Sequence, residues 1–278
     1  VSWQKHTLCF RLLSPLHIGY RKVGNLMQTR GYVPGKVLWG TLTARLTRDF
    51  GNGADGQRYL DIGRRVNEHF RFGYLYLALP KDSKKTIHSP DDLEPYYSWD
   101  DNLFDYRFLS SYASTALNYD QHAAAEGLLH ETEFIRSWAR PLHNNDQPLP
   151  VYLMGCVYVQ NNLTQELDGW RTALDQIQLG GERGYGWGRL RLDFTHVIDV
   201  DPIINLEANN RILAHVQYNK ANLVGTVEPL VGWERDNTGK GRKNWRLSSA
   251  TVCYAPGAIC QNSSTFTIGD YGIWQAMI

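Results

Sequence analysis

Cysteine is scarce in this 278-residue chain, and the four present, Cys9, Cys156, Cys253 and Cys260, are scattered with no C-x-x-C pair. That spacing excludes a disulfide framework and the common zinc knuckles, and it leaves four reduced thiols. Long apolar runs are missing too. No stretch approaches the roughly eighteen uninterrupted apolar residues of a membrane span, and "VSWQKHTLCF" lacks the basic-then-apolar layout of a signal peptide. The expectation is a cytoplasmic protein with no membrane partner. A net charge of only +1 excludes coating of nucleic acid through bulk charge. No G-x-x-x-x-G-K-[ST] motif occurs, and the histidines show neither H-x-x-x-H nor HD spacing, so neither a nucleotide cofactor nor a bound metal is expected.

What remains is an ordinary packed composition, 42% hydrophobic and 12% aromatic, enough for one large domain or two smaller ones. The charge is unevenly placed. Residues 1–50 carry Lys5, Arg11, Arg21, Lys22, Arg30, Lys36, Arg45 and Arg48 against the single acid Asp49. Residues 86–106 hold Asp91, Asp92, Glu94, Asp100, Asp101 and Asp105 with no Lys or Arg before the last of them. A basic N-terminal face and a separate acidic insertion follow from this distribution.

"HTLCFRLLSPLHIG" alternates as a strand and then meets Pro15, and residues 14–33 read as a loop rich in glycine and cations. "PGKVLWGTLTARLTRDFG" sets Leu38, Leu42, Leu46 and Phe50 on one helical face between Pro34 and Gly51. A short helix over "GQRYLDIGRRVNEHF", a strand over "FRFGYLYLAL" and a surface insertion over about 80–106 come next. "YRFLSSYASTALNY" and "GLLHETEFIRSWARPL" form a long hairpin around "DQHAAAE", and "LPVYLMGCVYVQ" is apolar enough to be a central strand. Leu163, Leu167, Trp170, Leu174 and Ile177 recur at helical spacing, with Thr164 placed to cap the first turn. "RLRLDFTHVIDV" resumes a strand.

The order through residue 200 gives an α+β fold, a ferredoxin-like, RNA-recognition-motif β-α-β-β-α-β core with insertions. Residues 201–278 read as β-rich, either a degenerate second copy of the module or strands completing the first sheet, with "DNTGKGRK" as a flexible basic connection.

The segment with the clearest chemistry is "LGGERGYGWGRLRL" at 179–192, expected between the second helix and the following strand. Its glycines let the main chain adopt positive φ and approach a ligand closely, and bare N–H groups cradle phosphate oxygens. Arg183 and Arg189 add charge-assisted hydrogen bonds, and Tyr185 and Trp187 offer flat faces on which bases stack. A tight turn whose glycines serve packing alone is the competing reading. It is no dinucleotide fingerprint, because it is read as leaving a helix instead of opening one.

Together, "SPLHIG", "YVPGKVLWGTLTARL", "LHETEFI" and "LGGERGYGWGRL" resemble the RAMP superfamily, the RNA-binding subunits of CRISPR effector complexes, over residues 7–195. Within it the chain is similar to type III subunits, particularly of the III-D kind, and "GTVEPLVGWERD" with "LSSATVCYAPGAI" looks like the second half of the subunit that caps the 5′ tag of the guide RNA. The resemblance implies a RAMP domain over 1–200, a thumb hairpin over about 108–140, and the β-rich half over 201–278. It also implies that the glycine-rich loop and first helix track the backbone of the guide (crRNA). His17, Arg21, Lys22, Lys36, Arg45, Arg183 and Arg189 are then the expected phosphate contacts, Gly181, Gly184, Gly186 and Gly188 the bare main chain beside them, and Tyr185 and Trp187 the stacking or wedge residues. Partners implied are crRNA, other effector subunits and, indirectly, target RNA.

Target-cleaving backbone subunits of this kind carry an aspartate in the loop after the first strand, whereas "GYRKVGNLMQTRGY" has no carboxylate. A non-catalytic guide-binding subunit is therefore the primary expectation. Two enzymatic alternatives stand beside it: a metal-independent guide-processing endoribonuclease with His17 as general base, and target cleavage through an acid such as Asp120. A scaffold that never touches RNA is the fourth reading.

Overall fold

Side-chain alternation at the start of the chain produces the long strand the sequence leads one to expect, Trp3–Leu12 (β1), in a computed structural model. The structure describes residues 2–49, 56–82, 85–143, 146–218, 221–235, 245–247 and 250–277. Gly19–Val23 (β2), Leu26–Thr29 (β3) and Tyr32–Val33 (β4) follow, then the helices Gly35–Asp49 (α1) and Gly56–His69 (α2). Phe70–Phe72 (β5), Leu75–Pro80 (β6), Leu93–Tyr96 (β7) and the one-turn helix Phe104–Phe108 (α3) lead into Leu109–Ser114 (β8), Leu117–Asn118 (β9), Ala123–Ala124 (β10) and His130–Ile135 (β11). Trp138–Ala139 (β12) and Leu149–Pro150 (β13) precede Tyr152–Gln160 (β14), Trp170–Asp175 (α4), Gln176–Gln178 (β15) and Arg189–Asp199 (β16).

The main sheet runs β15-β16-β1-β14-β6-β4, every pair antiparallel. Its β16-β1-β14-β6 core is the ferredoxin-like arrangement, with α1 following the first core strand and α4 the third. β14 is central, as its apolar content requires. β6 is buried at all six positions because successive side chains face different layers. Leu75, Leu77 and Leu79 join the core under α1 and α4, while Tyr76 joins a second core on the far side. On α1, Leu38, Leu42 and Leu46 are fully buried as their spacing predicts, and each contributes about 1.5–3 kcal/mol. Phe50 and Gly51 lie outside the described residues.

Three expectations change. The helix predicted across Leu163–Ile177 is a 3-10 turn, Gln165–Leu167, followed by only six residues of α4, and Ile177 belongs to a strand. Gly169, at φ −76 and ψ 5, ends the first piece and starts the second, and Thr164 makes no capping hydrogen bond. The four-and-three spacing reported burial correctly, because Leu167, Trp170, Leu174 and Ile177 all reach the same core. The glycine-rich segment is accordingly a hairpin loop between β15 and β16.

Residues 14–33 are no plain loop, since β2 and β3 pair as a hairpin there. The acidic insertion is not separate either. β7 pairs with β6 inside the main sheet, Lys85 holds Asp92, Arg107 lies beside Asp101, and Arg211 beside Asp100.

Beyond residue 200 the chain is β-rich, as expected, and six of its strands form a sheet of their own, beside two two-stranded ribbons. That sheet packs Val216, Phe266, Ile268 and Trp274 against Tyr32, Tyr74, Tyr76 and Tyr158 on the face of the main sheet away from the helices. "DNTGKGRK" lies outside the described residues.

Candidate nucleic-acid interface

The loop Leu179–Gly188 is laced to the segment after β1 by main-chain hydrogen bonds. Gly181 N–H donates to the His17 carbonyl at 2.9 Å, Gly188 N–H to Pro15 at 2.6 Å, and Leu13 N–H to Arg189 at 2.8 Å. Gly180 and Gly188 are both at φ +76, and a Cβ there would sit 2.1 Å from the His17 oxygen and 1.9 Å from the Leu179 oxygen. At those two positions the packing reading of the glycines holds. The tip differs: a Cβ on Gly184 or Gly186 would meet nothing within 4 Å. Arg183, Gly184 and Tyr185 form an exposed 3-10 turn, and Gln178 Nε2 steadies it by donating to the Arg183 and Trp187 carbonyls.

Glu182 opens that turn in the left-handed region, at φ 55 and ψ 23, a conformation that costs a non-glycine residue roughly 1–2 kcal/mol. Among the described residues its carboxylate has no hydrogen-bond or ion-pair partner.

Under the tip lies a second sheet, β2-β3-β11-β8, in which β8 and β11 form the expected hairpin and β3 runs parallel to β11. The thumb is thus braced by the hairpin hidden in residues 14–33. Cross-strand pairs His130–Ser114 and Thr132–Tyr112 face the loop, and Phe134 meets Trp187 edge-on at 4.9 Å. Together Tyr112, Ser114, His130, Thr132, Glu182, Tyr185 and Trp187 line a cleft of about 280 Å³. Tyr185 is 84% exposed at its rim. Within the cleft His130 Nδ1–H donates to the Leu128 carbonyl and Ser114 Oγ–H to His130 Nε2.

His17 is only 8% exposed, beneath Gly181, and its Nδ1–H donates to the Glu133 carbonyl at 2.7 Å. Glu133 Oε2 in turn accepts the Thr29 N–H, so His17 ties loop, thumb and β3 together. Arg21 and Lys22 stand exposed on β2, with Arg21 donating to Gln28. Arg183 and Arg189 are exposed, and among the described residues no acid pairs with either guanidinium.

Lys36 and Arg45 have other neighbours. Lys36 lies over the Tyr271 ring and beside Gly232 in the second half, and Arg45 pairs with Asp49 along α1. The structure therefore brings together His17, Gly181, Arg183, Gly184, Tyr185, Gly186, Trp187, Gly188 and Arg189, with Arg21 and Lys22 on the adjoining sheet. Arg30, from the same basic stretch, is not a surface cation at all: it is buried against Glu228 at 2.6 Å.

Sequence reasoning passed over the thumb residues Tyr112, Ser114, His130, Thr132 and Phe134. The period-two alternation of "HETEF" already puts His130, Thr132 and Phe134 on one face, but only the pairing with β8 shows which face meets the loop. Asp120 sits in the exposed thumb tip. Among the described residues no three His, Cys, Asp or Glu side chains gather to hold a metal, and no helix is long and apolar enough to cross a membrane.

Comparison with known proteins bears on the fold and the family. The structure of a type III-B Cmr-beta complex bound to cognate target RNA and AMPPnP contains a chain that matches with a TM-score of 0.53 at 15% identity, covering 91% of this chain and 85% of that one. A chain in Cmr-beta bound to cognate target RNA matches with a TM-score of 0.44 at 10% identity, covering 68% of this chain and 96% of that one. No curated protein sequence matches this one. The family model described as the RAMP superfamily matches residues 9–191, a span holding the end of β1, both core helices, the thumb and the glycine-rich loop, and the chain belongs to that superfamily.

Proposed function

We propose that this chain is a non-catalytic, guide-RNA-binding subunit of a type III CRISPR effector ribonucleoprotein acting in the cytoplasm. The observation that carries the reading is the loop: open main chain at Gly184 and Gly186 and exposed Arg183 and Tyr185 at its tip, with exposed Arg189 at its base, neither arginine paired with an acid among the described residues. A rigid base beneath a bare, cationic tip suits a sugar–phosphate strand, whose grip is indifferent to sequence. Family membership and likeness in fold to a chain of a type III-B complex support the assignment. Resemblance of the C-terminal half to the subunits that cap the 5′ tag supports a position at that end of the guide, in an assembly of the III-D kind. Arg21 and Lys22 extend the cationic surface along β2.

The test is a salt titration of single-stranded RNA binding. Replacing Arg183 and Arg189 together with alanine is expected to weaken binding and to flatten the log K against log salt slope by about 1.4, roughly 0.7 per lost phosphate contact. Unchanged affinity and slope would remove the loop from the RNA path.

A further inference from the structure

A carboxylate in a phosphate-binding loop calls for an explanation, because it repels the strand the loop is built to hold. Glu182 stands among five glycines in a backbone conformation glycine would adopt without strain, yet the position carries an acid with no partner among the described residues. It lines the cleft whose other walls are Tyr112, Ser114, Thr132, Tyr185, Trp187 and His130, whose two ring nitrogens are already engaged by Ser114 and the Leu128 carbonyl. At about 280 Å³ the cleft lies near the lower end of the usual ligand-pocket range of about 300–1,000 Å³, room enough for a nucleobase. Aromatic walls take the flat faces of a base.

We infer that this cleft selects guanine, with Glu182 as the specificity-determining residue. This rests on the RNA-binding reading above. A carboxylate presents two acceptors and no donor. Guanine offers two adjacent donors on its Watson–Crick edge, N1–H and the exocyclic amine, matching the two oxygens. Adenine and cytosine set one amine beside a ring-nitrogen acceptor that faces the carboxylate with like charge, and uracil sets its single N–H between two carbonyls. A bidentate pair of this kind discriminates against the wrong base by roughly tenfold. The phosphate grip holds the strand without reading it, and this cleft adds sequence preference at one nucleotide.

The experiment uses the full chain and four labelled nonamer RNAs, uridine throughout except for G, A, C or U at the centre, with binding read by fluorescence anisotropy. Wild type is expected to bind the guanine nonamer about tenfold more tightly than the other three. Glu182→Gln, which removes one acceptor and the charge, is expected to bring all four within about twofold while still binding the all-uridine strand. Equal affinity of wild type for the four RNAs overturns the selectivity, as does a guanine preference that survives Glu182→Gln. Failure of wild type to bind any of them overturns the RNA-binding reading itself, and the two failures are distinct.

Discussion

Arg30 and Glu228, 198 residues apart, meet at 2.6 Å with about a tenth of each side chain exposed, and they fasten the end of β3 to the C-terminal sheet. Arg30 Nη1 also donates to Tyr32 Oη. Glu228 accepts from His215 Nε2–H, and His215 Nδ1 accepts from Tyr74 Oη–H, so the carboxylate ends a chain of satisfied groups under the second sheet. The hairpin that braces the thumb is in this way tied to the C-terminal sheet.

Removing one member of that pair leaves a buried charge without its counter-ion. Arg30→Ala is expected to lower the unfolding free energy by about 3–5 kcal/mol, and Arg30→Met combined with Glu228→Gln by less, because the double change leaves no stranded charge. Urea unfolding followed by tryptophan fluorescence measures both. A loss below about 1 kcal/mol for Arg30→Ala would show that water reaches the pair.

The same network sets a pH dependence. Burial pushes the Glu228 carboxyl up, but hydrogen bonds from His215 and Arg30 outweigh it and hold the group at about 2, below the ordinary 4.5. Burial holds His215 below its ordinary 6.5, and burial together with Arg171 lowers His6 to about 4. All three pKa values are depressed by folding, so the unfolded chain takes up protons first and stability is lost as pH falls. The histidine share is expected to decline below about 6.5, and the Glu228 share from about 4.5 down to about 2. Thermal unfolding between pH 7.5 and 3 checks the order, and a flat profile above pH 5 would contradict neutral, buried histidines.

The loop glycines divide into two kinds. Gly180→Ala places a methyl group 2.1 Å from the His17 oxygen at φ +76, and it is expected to destabilise the fold by more than about 1 kcal/mol as the loop lifts from its anchor. Gly184→Ala meets open space, and its stability is expected to stay within about 0.5 kcal/mol of wild type. Its RNA affinity is expected to fall nonetheless, since the added carbon stands where a phosphate would approach. Unfolding curves and RNA titrations of the two variants separate the roles, and a Gly184→Ala protein that binds RNA normally would show that the strand passes elsewhere.

How much of this was legible beforehand depends on the range of the contacts involved. β1, α1, β14 and β16 announce themselves because the alternation or helical spacing of their own side chains matches their burial. Ile177 shows the limit: its spacing correctly marked it as core, but a strand and a helix deliver a side chain to the same core equally well, and pairing with Leu190 of β16 decided between them. The β2–β3 hairpin was hidden because its pairing partner, β11, lies more than a hundred residues away. Arg30 counted as one more surface cation until the fold supplied Glu228.

The sequence by itself determined the order of the core elements, the apolar faces of its helix and strands, and the glycine–arginine–aromatic composition of one loop, since each depends on neighbours in the chain. Tertiary structure alone decided that Gly180 and Gly188 serve packing while Gly184 and Gly186 stay open, that His17 supports the loop from below, and that Tyr112, Ser114 and His130 complete a cleft with Glu182. The physical reason is the same in each case: whether a group is buried, paired or exposed depends on which distant strand the sheet sets beside it, and local pattern carries no record of that choice.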